Sequence, residues 1–248
     1  MISSTPLPFS ARVSHLTTSQ TRPSVDAGHP SSAPAPSRIL ELSGIMSLPK
    51  DATIFVVDDD EAMGRMIQSL VESVGLKAEI YSSAQAFMDS YDPARPGCLL
   101  TDVRMPGMSG VELQEWLARE RSLLPVILVT AHADVPLAVR AMKSQALDVI
   151  EKPFKLQDLL DRVQHAVRLD AERRAEHEKK TTAARKLSAL SDREYEVMTL
   201  VVAGLANKQI AHRLDLSEKT IEAHRSHVMK KTGATSVAEL VRISTLAQ

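Results

Sequence analysis

The sequence predicts an α/β domain built on a doubly wound five-stranded parallel sheet, followed by a small all-α domain. Three observations carry this expectation. Short, near-continuous apolar runs alternate with helical periodicities from Thr53 onward, which suits parallel strands covered on both faces. No strand pattern occurs after residue 187. The two halves also differ in charge: residues 51–156 carry 16 Asp/Glu against 10 Lys/Arg, whereas residues 186–248 carry 9 Lys/Arg against 7 Asp/Glu. An acidic region joined to a mildly basic one points to two jobs, the second near nucleic acid.

The 248 residues are 44% hydrophobic and 25% charged, a globular composition that argues against global disorder. The single cysteine, Cys98, excludes an internal disulfide and suits a reducing compartment, so the expected location is the cytoplasm. No apolar run approaches the roughly 20 residues of a membrane helix, and no secretory leader pattern opens the chain.

Residues 1–36 are about half Ser, Thr and Pro. Such a stretch buries too little apolar surface to offset its chain entropy, so residues 1–50 are read as a disordered tail. Met46, just before the first structured segment, leaves a later start as the alternative. Strand-like runs then fall at Thr53–Val57, Ala78–Tyr81, Cys98–Thr101, Val126–Thr130 and Asp148–Ile150. Helical patterns lie between them. Met66, Ile67, Leu70, Val71 and Val74 define the first, with Gly75 placed to end it. The others cover Ala84–Asp89, Gly110–Arg121, Val135–Lys143 and Leu156–Arg174. Alternating strands and helices imply right-handed crossovers.

Residues 173–186 are charged and alanine-rich and read as a helical linker that ends solvated. Residues 187–248 read as four short helices: Asp192–Ala203, Lys208–Leu214, Glu218–Lys231 and Val237–Ser244. Ser191 with Glu194, and Ser236 with Glu239, have capping-box spacing.

Chemistry collects at the carboxyl ends of the strands, where ligands sit in doubly wound sheets. Asp58 and Asp59 follow the first strand and Asp102 ends the third. Thr130 ends the fourth and Lys152 follows the fifth. Clustered carboxylates repel one another unless protonated or neutralised by a cation. Oxygen ligands favour Mg²⁺, and a carboxylate beside a metal can become a nucleophile that forms an aspartyl phosphate. Singly, each residue could equally cap a helix or open a turn. Four strand ends together make chance a poor explanation.

In the C-terminal part, Leu205 to Ile221 reads as a helix, a short turn and a second helix, a pair able to lay its second helix in the major groove. A helical wheel puts Ile221, His224 and Val228 inward and Lys219, Glu222, Ala223, Ser226 and Lys230 outward. Lys219, Arg225, Lys230 and Lys231 supply charge for phosphates, and Thr220 lies at the same end. Charge alone would favour a solvated helix in an ordinary bundle.

The residues Asp58-Asp59, Asp102, Thr130 and Lys152-Pro153 resemble the signature of response-regulator receiver domains. The strings Thr101–Gly110 and Glu151–Phe154 are similar to the FixJ subgroup. The resemblance implies a receiver over residues 51–172, with Asp102 accepting a phosphoryl group from a sensor histidine kinase. It further implies Mg²⁺ held by Asp58, Asp59, Asp102 and the Arg104 main-chain carbonyl, with Thr130 and Lys152 contacting the phosphoryl group. Residues 190–243 resemble the LuxR-type DNA-binding domain, which implies base- or phosphate-facing roles for Lys219, Thr220, Glu222, Ala223, Arg225, Ser226 and Lys230.

Together the two resemblances imply a phosphorylation-dependent transcriptional regulator rather than an enzyme. They imply homodimerisation through Val139, Lys143 and Asp148, with Lys143 and Asp148 pairing across a two-fold axis. Double-stranded DNA is the expected partner, RNA polymerase a further candidate, and no membrane is expected. The departure is Val149, where many receivers carry a switching aromatic. Two rivals stay open: a regulator whose receiver acts without phosphate, and an Mg²⁺-dependent phosphohydrolase. Against the second, Arg104 stands where its further acid would be.

Overall fold

A computed structural model describes Pro49, residues 51–132, residues 139–141 and residues 143–247. The expected tail lies outside the described residues, apart from Pro49. Most of the helix expected over Val135–Lys143 also lies outside them, although Val139–Ala141 and Lys143 are helical.

The strands are β1 (Thr53–Val57), β2 (Lys77–Tyr81), β3 (Gly97–Asp102), β4 (Val126–Thr130) and β5 (Asp148–Glu151). All pair in parallel, in the order β2-β1-β3-β4-β5. Successive side chains leave a strand on opposite faces, so the sheet supports two cores. Ile54, Val56, Cys98, Leu100, Ile127 and Val129 pack on one face with Ile67 and Val71 of α1 (Glu61–Glu72). Leu159, Val163, Ala166 and Val167 of a long helix, Leu156–Ser188, complete that side. Phe55, Val57, Leu99 and Leu128 pack on the other face. There they meet Phe87 of α2 (Ala84–Ser90) and Leu113 and Leu117 of α3 (Gly110–Arg119).

Several helix starts have an identifiable side-chain partner, although the long helix starts at Lys155 without one. Asp60 caps α1 by accepting from the Ala62 and Met63 amides, which leaves Asp58 and Asp59 of the acidic run outside the cap. Ser109 and Glu112 form a reciprocal capping box on α3, and Ser191 and Glu194 form one at the start of the C-terminal domain. The second expected box is altered. Ser236 accepts from the Glu239 amide, but the Glu239 carboxylate turns to the Thr235 amide and hydroxyl.

The long helix has 33 residues and corrects the solvated end of the linker. Ala183 is buried in a third core with Val197, Met198, Ile210, Ile221, Val228, Leu240 and Ile243, and Leu187 packs against it. The four following helices are Asp192–Val202, Asn207–Leu214, Glu218–Thr232 and Val237–Leu246. Asp215, at φ 52°, and Gly233, at φ 68°, end two of them in the left-handed region.

Candidate phosphoryl-acceptor and DNA-reading sites

The sheet order changes direction between β1 and β3, and their carboxyl ends lie side by side, with Val57 opposite Thr101. Asp58 and Asp59 leave β1 there and Asp102 ends β3. Their carboxylate oxygens come within 4.8 Å of one another. Lys152 reaches in from beyond β5, with Nζ 3.0 Å from Asp58 Oδ2 and 3.5 Å from Asp102 Oδ1. Its main chain is held by an amide hydrogen bond to the Thr130 carbonyl at 2.7 Å. The Lys152–Pro153 peptide is cis.

The pocket is electrostatically tense. Asp58 is 3% exposed, with Oδ1 accepting from the Asp60 amide and Oδ2 from Lys152. Burial pushes the Asp102 carboxyl above its ordinary value; Lys152 pulls it down and Asp58 pushes it up. For Lys152, burial works against the ammonium but is outweighed by Asp58 and Asp102, which hold its pKa above the ordinary value. Three carboxylates facing one ammonium leave two negative charges when all are ionised. That hard, all-oxygen donor set fits a divalent cation such as Mg²⁺.

Thr130 is 1% exposed, and its hydroxyl is occupied by the next loop: it accepts from the His132 amide and donates to the His132 carbonyl. Arg104 stands at the bend two residues beyond Asp102. Val149 packs, partly buried, against the second core.

Gly110 is a site residue that sequence reasoning passed over. A Cβ there would lie 2.2 Å from the Asp102 carbonyl oxygen and 2.9 Å from Thr101 Oγ1. The start of α3 thus passes so close beneath the Asp102 main chain that only glycine fits.

In the C-terminal domain, Glu218–Thr232 buries Ile221 and Val228 and exposes Lys219, Glu222, Ala223, Ser226 and Lys230, as the wheel expected, while His224 is only half-buried and Thr232 is buried as well. Thr220 is half-buried, its hydroxyl paired with Ser217 at 2.8 Å. Two of the basic residues also have partners within the domain. Arg225 donates to Asn207 Oδ1 at 2.7 Å, joining this helix to the preceding one. Lys231 donates to Glu194 Oε2 at 2.6 Å. Both are expected on phosphates; each meets an oxygen acceptor on a neighbouring helix as well. Glu194 also accepts from the Ser191 amide and hydroxyl, and Lys231 leads these bonds in holding its carboxyl down at about 2.

Of the expected dimer face, Val139 is 44% exposed and Lys143 is exposed. Asp148 is engaged within the chain: Arg162 pairs with its carboxylate, which also accepts the Val149 amide. An isologous Lys143–Asp148 bridge would therefore compete with Arg162.

Among the described residues, no helix is long and apolar enough to cross a membrane. Comparison with known proteins finds a family for each of the two domains. Residues 54–164 match the family described as "Response regulator receiver domain", and residues 188–244 match "Bacterial regulatory proteins, luxR family". Nodulation protein W of Bradyrhizobium diazoefficiens is 44% identical over 193 residues, covering 78% of this chain and 85% of its own. The transcriptional regulatory protein FixJ of Azorhizobium caulinodans is 41% identical over 200 residues, covering 81% and 95%. The solved structure of the response regulator StyR aligns at a TM-score of 0.73 with 40% identity, over 79% of this chain and 98% of that one. The chain belongs to the FixJ-type response regulators, transcriptional regulators that join a receiver domain to a LuxR-family DNA-binding domain.

Proposed function

We propose that Asp102 is the phosphoacceptor, that a sensor histidine kinase is the donor, and that phosphorylation in the cytoplasm promotes a homodimer that binds two-fold DNA. The observation that carries this reading is the convergence of Asp58, Asp59, Asp102 and Lys152 at the sheet's switch point, in a chain that ends in a DNA-reading helix pair. An Asp102 carboxylate oxygen attacks phosphorus as the P–N bond of the kinase phosphohistidine breaks, leaving that nitrogen with the electron pair. Lys152 neutralises charge on the incoming group, and Thr130 turns its hydroxyl from the His132 loop toward a phosphoryl oxygen.

Asp58, Asp59, Asp102 and the Arg104 carbonyl would hold Mg²⁺, which supplies polarisation of phosphoryl oxygens and favours ionised Asp102. The chain is not an enzyme acting on a separate substrate. Its output is DNA occupancy, with Lys219 and Lys230 on phosphates and Glu222, Ala223 and Ser226 toward base edges. The receiver spans residues 51–172 and the DNA-binding domain residues 187–248, and the receivers meet through a face that includes Val139 and Lys143. RNA polymerase is the partner through which a bound dimer would act on transcription.

The test is selection of genomic DNA fragments by the protein with and without acetyl phosphate and Mg²⁺, with sedimentation alongside. Phosphorylated protein should sediment as a dimer and retain fragments carrying a two-fold site. Equal association and equal retention in both conditions would overturn the reading.

A further inference from the structure

The long helix contributes to two cores. Val163, Ala166 and Val167 lie in the receiver, and Ala183 lies in the C-terminal domain. Between Val167 and Ala183 one residue is buried, and it is a carboxylate: Asp170, 1% exposed. It stands three and four residues beyond Val167 and Ala166, on the stripe where an apolar side chain is expected.

Its partners explain the place. Asp170 Oδ2 accepts the amide of Gly97, the first residue of β3, at 2.8 Å. At Gly97, with φ 149°, a Cβ would stand 1.8 Å from the Thr53 carbonyl oxygen, so the β1 and β3 backbones close in on each other there. Arg174, one turn along the helix, donates Nε to Asp170 at 2.8 Å. Its remaining nitrogens reach three successive carbonyls: Nη1 to Pro93 at 2.8 Å and Ala94 at 3.2 Å, and Nη2 to Arg95 at 2.6 Å. The planar fork of arginine suits this set, and an ammonium cannot replace it. The clasp grips the amino-terminal edge of the sheet, opposite the acidic pocket, at the last point where the helix is buried in the receiver.

We propose that Asp170 and Arg174 are positioning residues that set the angle at which the long helix leaves the receiver, and with it the placement of the DNA-reading domain. Beyond the clasp the helix is a lever: from Asp170 to Ala183 it runs roughly 20 Å, so a tilt of about 10° at the clasp moves the second core by roughly 3–4 Å. Pocket and clasp lie at opposite ends of the sheet, so loosening the clasp leaves phosphoryl uptake intact. The inference rests on the regulator reading only for what the lever serves; the placement is measured without phosphate or DNA.

The test uses the full chain with spin labels on Glu72→Cys and Ala238→Cys, both exposed positions, while Cys98 is fully buried. Electron-paramagnetic distance measurements should give a narrow distribution for this parent. The double substitution Asp170→Asn with Arg174→Met removes the pair without stranding a buried charge. It should broaden or shift the distribution by at least roughly 3 Å, while acetyl phosphate incorporation proceeds at the parental rate. Arg174→Lys, the milder change, keeps the charge and should broaden it too. A distribution unchanged in the double variant, or restored in Arg174→Lys, would overturn the proposal, as would loss of phosphoryl uptake in Arg174→Lys.

Discussion

The acidic pocket and the DNA-reading helix are both charged surfaces, but they are built in opposite ways. The pocket gathers side chains from separate strand ends and buries most of them: side-chain exposure is 4% for Asp58, 13% for Asp102 and 18% for Lys152, while Asp59 is exposed at the rim. The proposed reading surface is one helix whose Lys219, Glu222, Ala223, Ser226 and Lys230 are all exposed. Buried charges need partners and act as a unit, so removing one disturbs the rest. Exposed charges on one helix act nearly independently. Changes in the pocket should therefore be steep, and changes on the helix graded.

The steepest graded measure is metal affinity. Asp59→Ala removes one of three clustered carboxylates, and titration calorimetry should find Mg²⁺ binding weaker by roughly 100-fold, about 2.7 kcal/mol. Unchanged affinity would detach Asp59 from the site. Gly110→Ala places a Cβ against the Asp102 main chain. It should cost about 1–3 kcal/mol in urea unfolding and slow phosphoryl uptake as well. If stability falls but uptake does not, Gly110 serves packing alone.

On the helix, Ser226→Ala and Glu222→Ala should shift base preference by about 1–3 kcal/mol per disturbed contact. Selection from a randomised DNA pool reads this directly. Lys230→Ala should instead weaken all sequences alike and lower the salt slope of a dimer by roughly two. If Lys230→Ala changes the chosen site while Glu222 and Ser226 variants keep it, the helix is rotated from this assignment.

The smallest effect is acid sensitivity of the helix's support. The Glu194 carboxyl lies at about 2, below its ordinary 4.5. Its stabilisation is therefore fully present above about pH 4.5 and lost as pH falls toward about 2. Thermal melts across that window should converge for the parent and Glu194→Gln at the acid end and separate at neutral pH. Parallel curves would remove Glu194 from the support.

Much of this was legible in the sequence, for physical reasons. Strands buried on both faces are short apolar runs, so β1 and β4 match their expected limits at both ends. Pocket residues announce themselves by standing at strand ends, where topology brings them together. Pairing across elements was not legible. A wheel places Arg225 and Lys231 on a flank, but nothing local says that Asn207 and Glu194 will meet them. Nothing local in the sequence signals that Asp170 is buried, because its partner, the Gly97 amide, lies 73 residues away. The linker reads as solvated because alanine at 183 carries no signal of the core it enters.

The central claim is that Asp102 alone receives the phosphoryl group. Intact-mass measurement after acetyl phosphate and Mg²⁺ treatment tests it most directly, on the parent and on Asp102→Asn. The parent should gain the mass of one phosphoryl group, and Asp102→Asn should gain none while keeping its circular dichroism. A phosphoryl group on Asp102→Asn, or none on the folded parent, would contradict the account.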